Sequence, residues 1–437
     1  MTKKLDLALY ALSAVFALVT ALTSTLLPHR AWGAVAAGGY LAAALLVYLV
    51  QRRDLLAWAT WGAVALLPLV IQAVQRAGGR TDRAQEEVLV VEHMGESLLR
   101  SGTPYLSRTE IAAIPLDERL LGYRPYQPGM SVFGVPRALA GDHWFTDARI
   151  WFAIATVVTL GAAVTLLRSL PNPAVIRAPR TFLAWIRPAA PVGPASAPDP
   201  DRPSSEPLVV SPVSPALVRA VQAATVLPVT ALTLATGGDD IPVLALCLLA
   251  LALAATGRPG WSGTAVGAAA ACKLFALPVV AVLIVYSVVT GTWRRFLPGA
   301  VGLPLLALLP PLLVDADALI ENVLRFPMGH GLVTSPAQSP FPGYLIAQSL
   351  PAGRYIASGL LILAAAVIGF LLLRRPPRTA TSAALFCGYG LLTAILLMPT
   401  TRFGYLLYPA ALLLFAPALS KDTGSSAPRH DTALYRH

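Results

Sequence analysis

Long apolar stretches alternate with short charged turns along most of the chain. Uncharged runs cover 7–28, 31–50, 55–75, 150–167, 220–238, 241–257, 297–314, 355–373, 379–401 and 403–420. Such runs fit the roughly 20 residues that a helix needs to cross a bilayer. Lipid offers no partners to open strands, so spans of this kind are helices. A further run, 259–293, is broken only by Lys273. The pattern predicts an all-α, polytopic integral membrane protein with about 12 membrane helices, two of them short. The first run is long, lacks a small-residue cleavage site and is followed at once by the second. It reads as a retained span rather than a signal peptide.

The alternation stops between residues 76 and 149. This stretch carries ten carboxylates and nine arginines among aromatic and Pro-rich strings such as "YRPYQPGMSVFGVP". Near its start, Val88, Val91, Met94 or Gly95, and Leu98 recur at helical spacing. They predict an amphipathic helix at the outer membrane surface. Its polar side carries Glu87, Glu92 and Glu96, with Asp82 just before it. Ser101–Gly102 ends the helix, and Pro104–Tyr105 opens an extended turn.

Composition sharpens the class. The chain is 56% apolar and 13% charged, whereas soluble domains carry about 25% charged residues. Its net charge of +11 becomes informative once divided by side. With the N-terminus placed inside, the inner pieces hold 19 Lys/Arg against 7 Asp/Glu, and the remainder 14 against 15. Basic enrichment of cytoplasmic turns is the expected bias. The basic balance therefore reflects topology and inner-leaflet lipid, and no basic–aromatic module supports nucleic-acid binding. Arg258 and Arg294–Arg295 should then share the inner side. The run 259–293 becomes a hairpin of two short helices with Lys273 near its outer tip. Cys247, Cys272 and Cys387 all lie in apolar runs, without disulfide or metal spacing.

The organisation expected is an N-terminal membrane part, 1–168, bearing the outer loop 76–149. A Pro/Ser/Ala-rich cytoplasmic linker, 169–215, follows and is expected to be disordered. A C-terminal bundle, 216–420, and a cytoplasmic tail, 421–437, complete the chain. A second outer loop is expected over 315–354. No internal repeat is visible, which weighs against a transporter built from related halves.

A carboxylate at a partly desolvated lipid interface is suited to general-base work. Asp82, Glu87, Glu92 and Glu96 are the carboxylates of this helix or just before it. Candidate cations on the outer side are Lys273, Arg402, Arg325 and His330. A lysine inside apolar sequence is a functional candidate by default. Arg402, in "PTTRFGYLLYP", is either a phosphate clamp or an interfacial anchor beside Tyr405 and Tyr408. Asp239 and Asp240 follow Gly237–Gly238 and either bind acceptor hydroxyls or cap the next helix. Tyr105 and Tyr126 could stack on sugar faces. His93, His143 and His330 are scattered, so no metal site is assigned, and dependence on a divalent cation is left open.

"EEVLVVEHMGESLLRSGTPY", "YRPYQPGMSVFGVP" and "TDAR" before a span resemble the polyprenol-phosphate-sugar-dependent glycosyltransferases of the GT-C fold, in particular the actinobacterial α-mannosyltransferase type. "GGDDIPVLALCLLALALAATGRPGWSGTAVGAAAACKLFALP" is similar to that family's string ending in a lysine shortly before a proline. The resemblance places the catalytic acid on Glu87, with Glu92 and Asp82 as the alternatives; the family usually has aspartate there, and this chain has two more spans before the motif. It implies a polyprenyl-phosphate sugar, with mannose as the expected sugar, as donor. It also implies a glycolipid or polysaccharide acceptor outside the plasma membrane, and no cofactor beyond the lipid-linked substrate. The competing class is a secondary transporter or a flippase of lipid-linked intermediates.

Overall fold

The computed structural model describes residues 2–168 and 213–420. The predicted linker, except its last three residues, and the C-terminal tail lie outside the described residues. Within them the chain is almost entirely helical. It begins with α1 (Thr2–Thr23), α2 (Leu27–Leu46), α3 (Arg53–Trp61) and α4 (Leu67–Ala77), the last two joined by a π-helical turn into one span. The polar stretch holds α5 (Glu86–Ser101), α6 (Arg108–Ala113) and α7 (Val135–Ala140) before α8 (Ala148–Arg168). The second half holds α9 (Pro215–Thr225), α10 (Pro228–Thr236), α11 (Asp240–Ala255), α12 (Pro259–Cys272) and α13 (Leu277–Val289). The chain continues with α14 (Trp293–Ile320), α15 (Pro342–Ser349), α16 (Gly353–Arg374), α17 (Ala380–Leu397) and α18 (Leu407–Phe415).

Every apolar run of the sequence is helical. Among the described residues six helices are long and apolar enough to cross a membrane, or seven when the α9–α10 pair is taken as one span. The expected dozen therefore includes helices too short or too polar to meet that measure. The run 220–238 is not one straight helix but bends by 41° between α9 and α10. Pro228 explains the break, because proline has no N–H to donate and pushes the residue before it out of the helical region. Leu227 is accordingly extended, with ψ 132°. The second outer loop also starts later than expected. α14 continues past 314 as far as Ile320, and a π-helical turn carries it through Arg325. Asp315 leaves the helical region there and its carboxylate accepts from the Ala318 N–H at 2.9 Å. The helix restarts on an aspartate cap instead of ending.

Two packing features place the site. α11 is apolar all round and buried along nearly all its length, as expected of a central helix. α12 runs parallel to α14 along a seam of small residues. A Cβ on Gly263 would collide with the Phe296 carbonyl, and one on Gly267 with that of Gly299. Close backbone approach through glycine is how membrane helices gain contact when lipid competes for apolar surface. Gly260 at the start of α12 lies near the Arg295 carbonyl. Arg258 and Arg294–Arg295 thus share one end of the hairpin, and Lys273 sits at the other. At a further polar end, Asp6 binds Arg53 at 2.5 Å and Arg219 at 2.7 Å, and Asp54 binds Arg168 at 3.0 Å. Three of the basic residues expected on one side are gathered there.

Candidate active site

The helix expected after the first spans is α5, ended by Gly102 in the left-handed region at φ 74°. Its first turn is fastened to the end of α10. Gln85 donates its backbone N–H to the Thr236 carbonyl at 3.0 Å, and the Thr236 hydroxyl donates to Gln85 Oε1 at 2.9 Å. The Gln85 amide nitrogen lies 2.8 Å from His29 Nε2 on α2. Glu87 follows two residues later and faces the turn between α10 and α11. That turn requires glycine: a Cβ on Gly237 would lie 2.7 Å from Gln85 Oε1 and 3.8 Å from Glu87 Oε2. Gly238 has φ 86°, a region that L-residues rarely adopt.

Next along the turn, Asp239 does not cap α11 with its side chain. It binds Lys273 Nζ instead, at 2.5 Å, and Asp240 binds the same ammonium at 2.7 Å. Lys273 is only 7% exposed. Its ammonium also lies over the rings of Tyr126 and Tyr405, 5.2 and 5.7 Å from the centroids. Asp240 further accepts from the buried Tyr408 hydroxyl at 2.8 Å.

Arg402 enters from the segment before α18. Its neighbours are strapped to the segment between α14 and α15 by three bonds: Thr401 N to Ala337 O at 3.0 Å, Ser339 N to Thr401 O at 2.9 Å, and Phe403 N to Ser339 Oγ at 2.9 Å. Held there, Arg402 pairs directly with Glu87. Burial disfavours the arginine's charge, but the Glu87 carboxylate outweighs it and holds the guanidinium above its ordinary range. Glu86 beside it is pushed up, first by burial and then by the charge of Glu87.

Glu87, Arg402, Lys273, Asp239, Asp240 and Tyr126 therefore form one cluster. The other sequence candidates stand elsewhere. Glu92 is not on a solvated face: it is 5% exposed and its carboxylate holds Arg76 at 2.6 and 2.8 Å, Arg137 at 3.2 Å and the Ala148 N–H at 3.2 Å. The face expected to meet water is covered by α7 and α8, and Gly95 meets Gly134 backbone to backbone. Asp82 binds Arg80 at 2.9 Å and Arg83 at 2.6 Å. The Arg80 hydrogen bond is the largest influence on Asp82 and lowers its pKa to about 2. Arg325, proposed for phosphate, pairs with Asp317 and Glu321. The His330 carbonyl receives Arg108, which also binds Glu321 at 2.8 Å. Tyr105 is a buried strut that donates to the Tyr126 carbonyl at 2.8 Å. Gln85, His29 and Thr236 escaped notice, since a lone polar residue at a helix end carries no local signal. Tyr405 and Tyr408 were visible, but as interface anchors.

A second network ties this cluster to the N-terminal part. Asp147 holds Arg149 at 2.8 Å and Arg76 at 3.0 Å, and Arg149 donates to the carbonyls of Arg83 and Ala235 at 2.7 and 3.2 Å. The chain Glu92–Arg76–Asp147–Arg149 therefore spans from α5 to the residue before Thr236.

The model of glycosyltransferase family 87 matches residues 125–399. That range takes in Tyr126, Asp239, Asp240 and Lys273 and leaves out Glu87 and Arg402. Two solved structures are similar to the chain. ArnT from Cupriavidus metallidurans bound to undecaprenyl phosphate is 17% identical with a TM-score of 0.44, over 82% of this chain and 59% of that one. The same protein in the apo state gives 17% and a TM-score of 0.42, over 82% and 58%. The chain thus spans less than two thirds of the length of ArnT. No curated protein matches it. With more than half of its residues matched by the family model, the chain belongs to glycosyltransferase family 87.

Proposed function

We propose that the protein transfers a sugar, mannose in the first instance, from a polyprenyl-phosphate donor to a hydroxyl of a glycolipid or polysaccharide on the outer face of the plasma membrane. The observation that supports this best is the meeting of Glu87 with Arg402, next to the Lys273–Asp239–Asp240 group. In the reaction the acceptor oxygen bonds to the anomeric carbon, the bond from that carbon to the phosphate oxygen breaks, and the acceptor proton passes to Glu87. The lipid phosphate is a good leaving group and needs no proton, but it needs a cation to receive its developing charge. Arg402 supplies that cation, and its planar fork matches phosphate oxygens. Lys273 is already engaged by two carboxylates. We therefore give it a different part, holding Asp239 and Asp240 in place to accept sugar hydroxyls, with Tyr126 and Tyr405 walling the site.

The test is transfer from a polyprenyl-phosphate mannose donor in membranes carrying the Glu87→Gln variant. Loss of a general base should lower the rate by about 10²–10⁴-fold while the amount of folded protein is unchanged. Transfer at the unaltered rate removes Glu87 from this role. Donors carrying other sugars, run in parallel, identify the sugar.

A further inference from the structure

Glu87 and Arg402 hold each other across 315 residues of sequence. For a base this is an awkward partner, because the guanidinium occupies a carboxylate oxygen that the acceptor's proton would need. Arg402 is the more accessible of the two, with 36% of its side chain exposed against 15% for Glu87. Among the described residues Glu87 is the only acceptor bonded to its guanidinium, through Nη1. Arginine carries five N–H donors, so further donors stand ready on the same fork. Lys273 differs: both its neighbours are carboxylates within 2.7 Å, and it lies deeper.

Resting on the reading that Arg402 receives the donor phosphate, we propose that Glu87 and that phosphate compete for Arg402, so that donor binding releases the base. The empty site then holds its carboxylate in an idle pairing. A donor phosphate takes the guanidinium, and Glu87 turns to the acceptor hydroxyl. Transfer moves the acceptor proton onto Glu87 and leaves a lipid monophosphate with more charge than the donor diester. Protonated Glu87 is neutral and does not reclaim Arg402. Once its proton passes to water, the carboxylate re-forms the pair and displaces the product. Donor therefore binds before acceptor, and product release follows deprotonation.

The consequence runs against the usual effect of deleting an active-site residue: removing the carboxylate tightens phosphate binding. The experiment measures the affinity of geranylgeranyl phosphate for the purified full-length protein in nanodiscs at pH 8. Glu87→Gln should bind about tenfold more tightly than the unaltered protein, Glu87→Asp should shift in the same direction, and Arg402→Gln should bind about tenfold more weakly. Equal or weaker binding by a folded Glu87→Gln or Glu87→Asp protein overturns the competition. Affinity and catalysis separate the two readings. A Glu87→Gln protein that binds no tighter yet fails in transfer sinks the competition and keeps the base. One that binds tighter yet transfers normally keeps the competition and sinks the base.

Discussion

Replacing Glu92 by glutamine tests which acid of α5 builds the protein and which one reacts. Both oxygens of Glu92 are in use. Oε1 takes Arg76 at 2.8 Å and the Ala148 N–H at 3.2 Å, and Oε2 takes Arg76 at 2.6 Å and Arg137 at 3.2 Å. Glutamine keeps the shape but turns an NH₂ group toward a guanidinium and removes the charge. Breaking one side of a buried ion pair costs about 3–5 kcal/mol. Arg76 keeps Asp147 at 3.0 Å and Arg137 keeps Asp142 at 2.6 Å, so neither arginine is left alone and the cost falls near about 3 kcal/mol. At about 2 °C per kcal/mol for a large domain, the unfolding midpoint should drop by about 6 °C. Cys247, Cys272 and Cys387 are buried, so a thiol-reactive fluorescent dye reports the transition in detergent. Glu87→Gln breaks a pair whose arginine keeps 36% of its side chain exposed and should shift it by no more than about 2 °C, as for a pair worth about 1 kcal/mol. A Glu92→Gln protein that unfolds at the original temperature yet has lost all transfer would refute the assignment and make Glu92 the reacting acid.

Three further outcomes are expected. Gly267→Ala pushes a methyl group into the Gly299 carbonyl and should prevent α12 and α14 from closing, seen as loss of the monodisperse peak on size exclusion. Gly302→Ala, with nothing nearby, should elute normally. Thr236→Val removes the hydroxyl that Gln85 Oε1 accepts and should cost about 1 kcal/mol of stability. Because that bond sets the first turn of α5, kcat for transfer should fall while the KM for donor stays unchanged. In acid, Asp147 counts most: burial raises its pKa, but Arg149 and Arg76 outweigh it and hold the group well below the carboxylate range. A carboxyl depressed in the folded state contributes stability above its unfolded value of about 3.9 and loses it as pH falls through the folded value. The unfolding midpoint should therefore decline below about pH 4, and less steeply in Asp147→Asn than in the parent.

The apolar runs were legible because length and composition alone predict helices in lipid, and the runs are helical, although 220–238 is broken at Pro228. Lys273 at a hairpin tip was legible from charge placement, and the shared end of Arg258 and Arg295 agrees with it. Glu87 and Arg402 were both singled out, but nothing local links residues so far apart, so their pairing was out of reach. Glu92 was misplaced for a related reason. A helical wheel sees one helix, and the polar stripe of α5 meets buried arginines from α4 and α7 instead of water. Arg325 and His330 shared an outer segment with the strap that holds Arg402. Only the tertiary fold separates them, with Arg325 turned toward Glu321.

The proposed base, Glu87, and its partner Arg402 flank the residues matched by the family model on opposite sides, one before residue 125 and the other after residue 399. A polypeptide trimmed to that window would retain the lysine, its two aspartates and the tyrosine beneath them, but neither member of the pair proposed to carry the reaction. If Glu87 and Arg402 carry the reaction as proposed, what identifies such a protein and what makes it work occupy different stretches of its chain, so a catalytically empty descendant could still be counted among its kin.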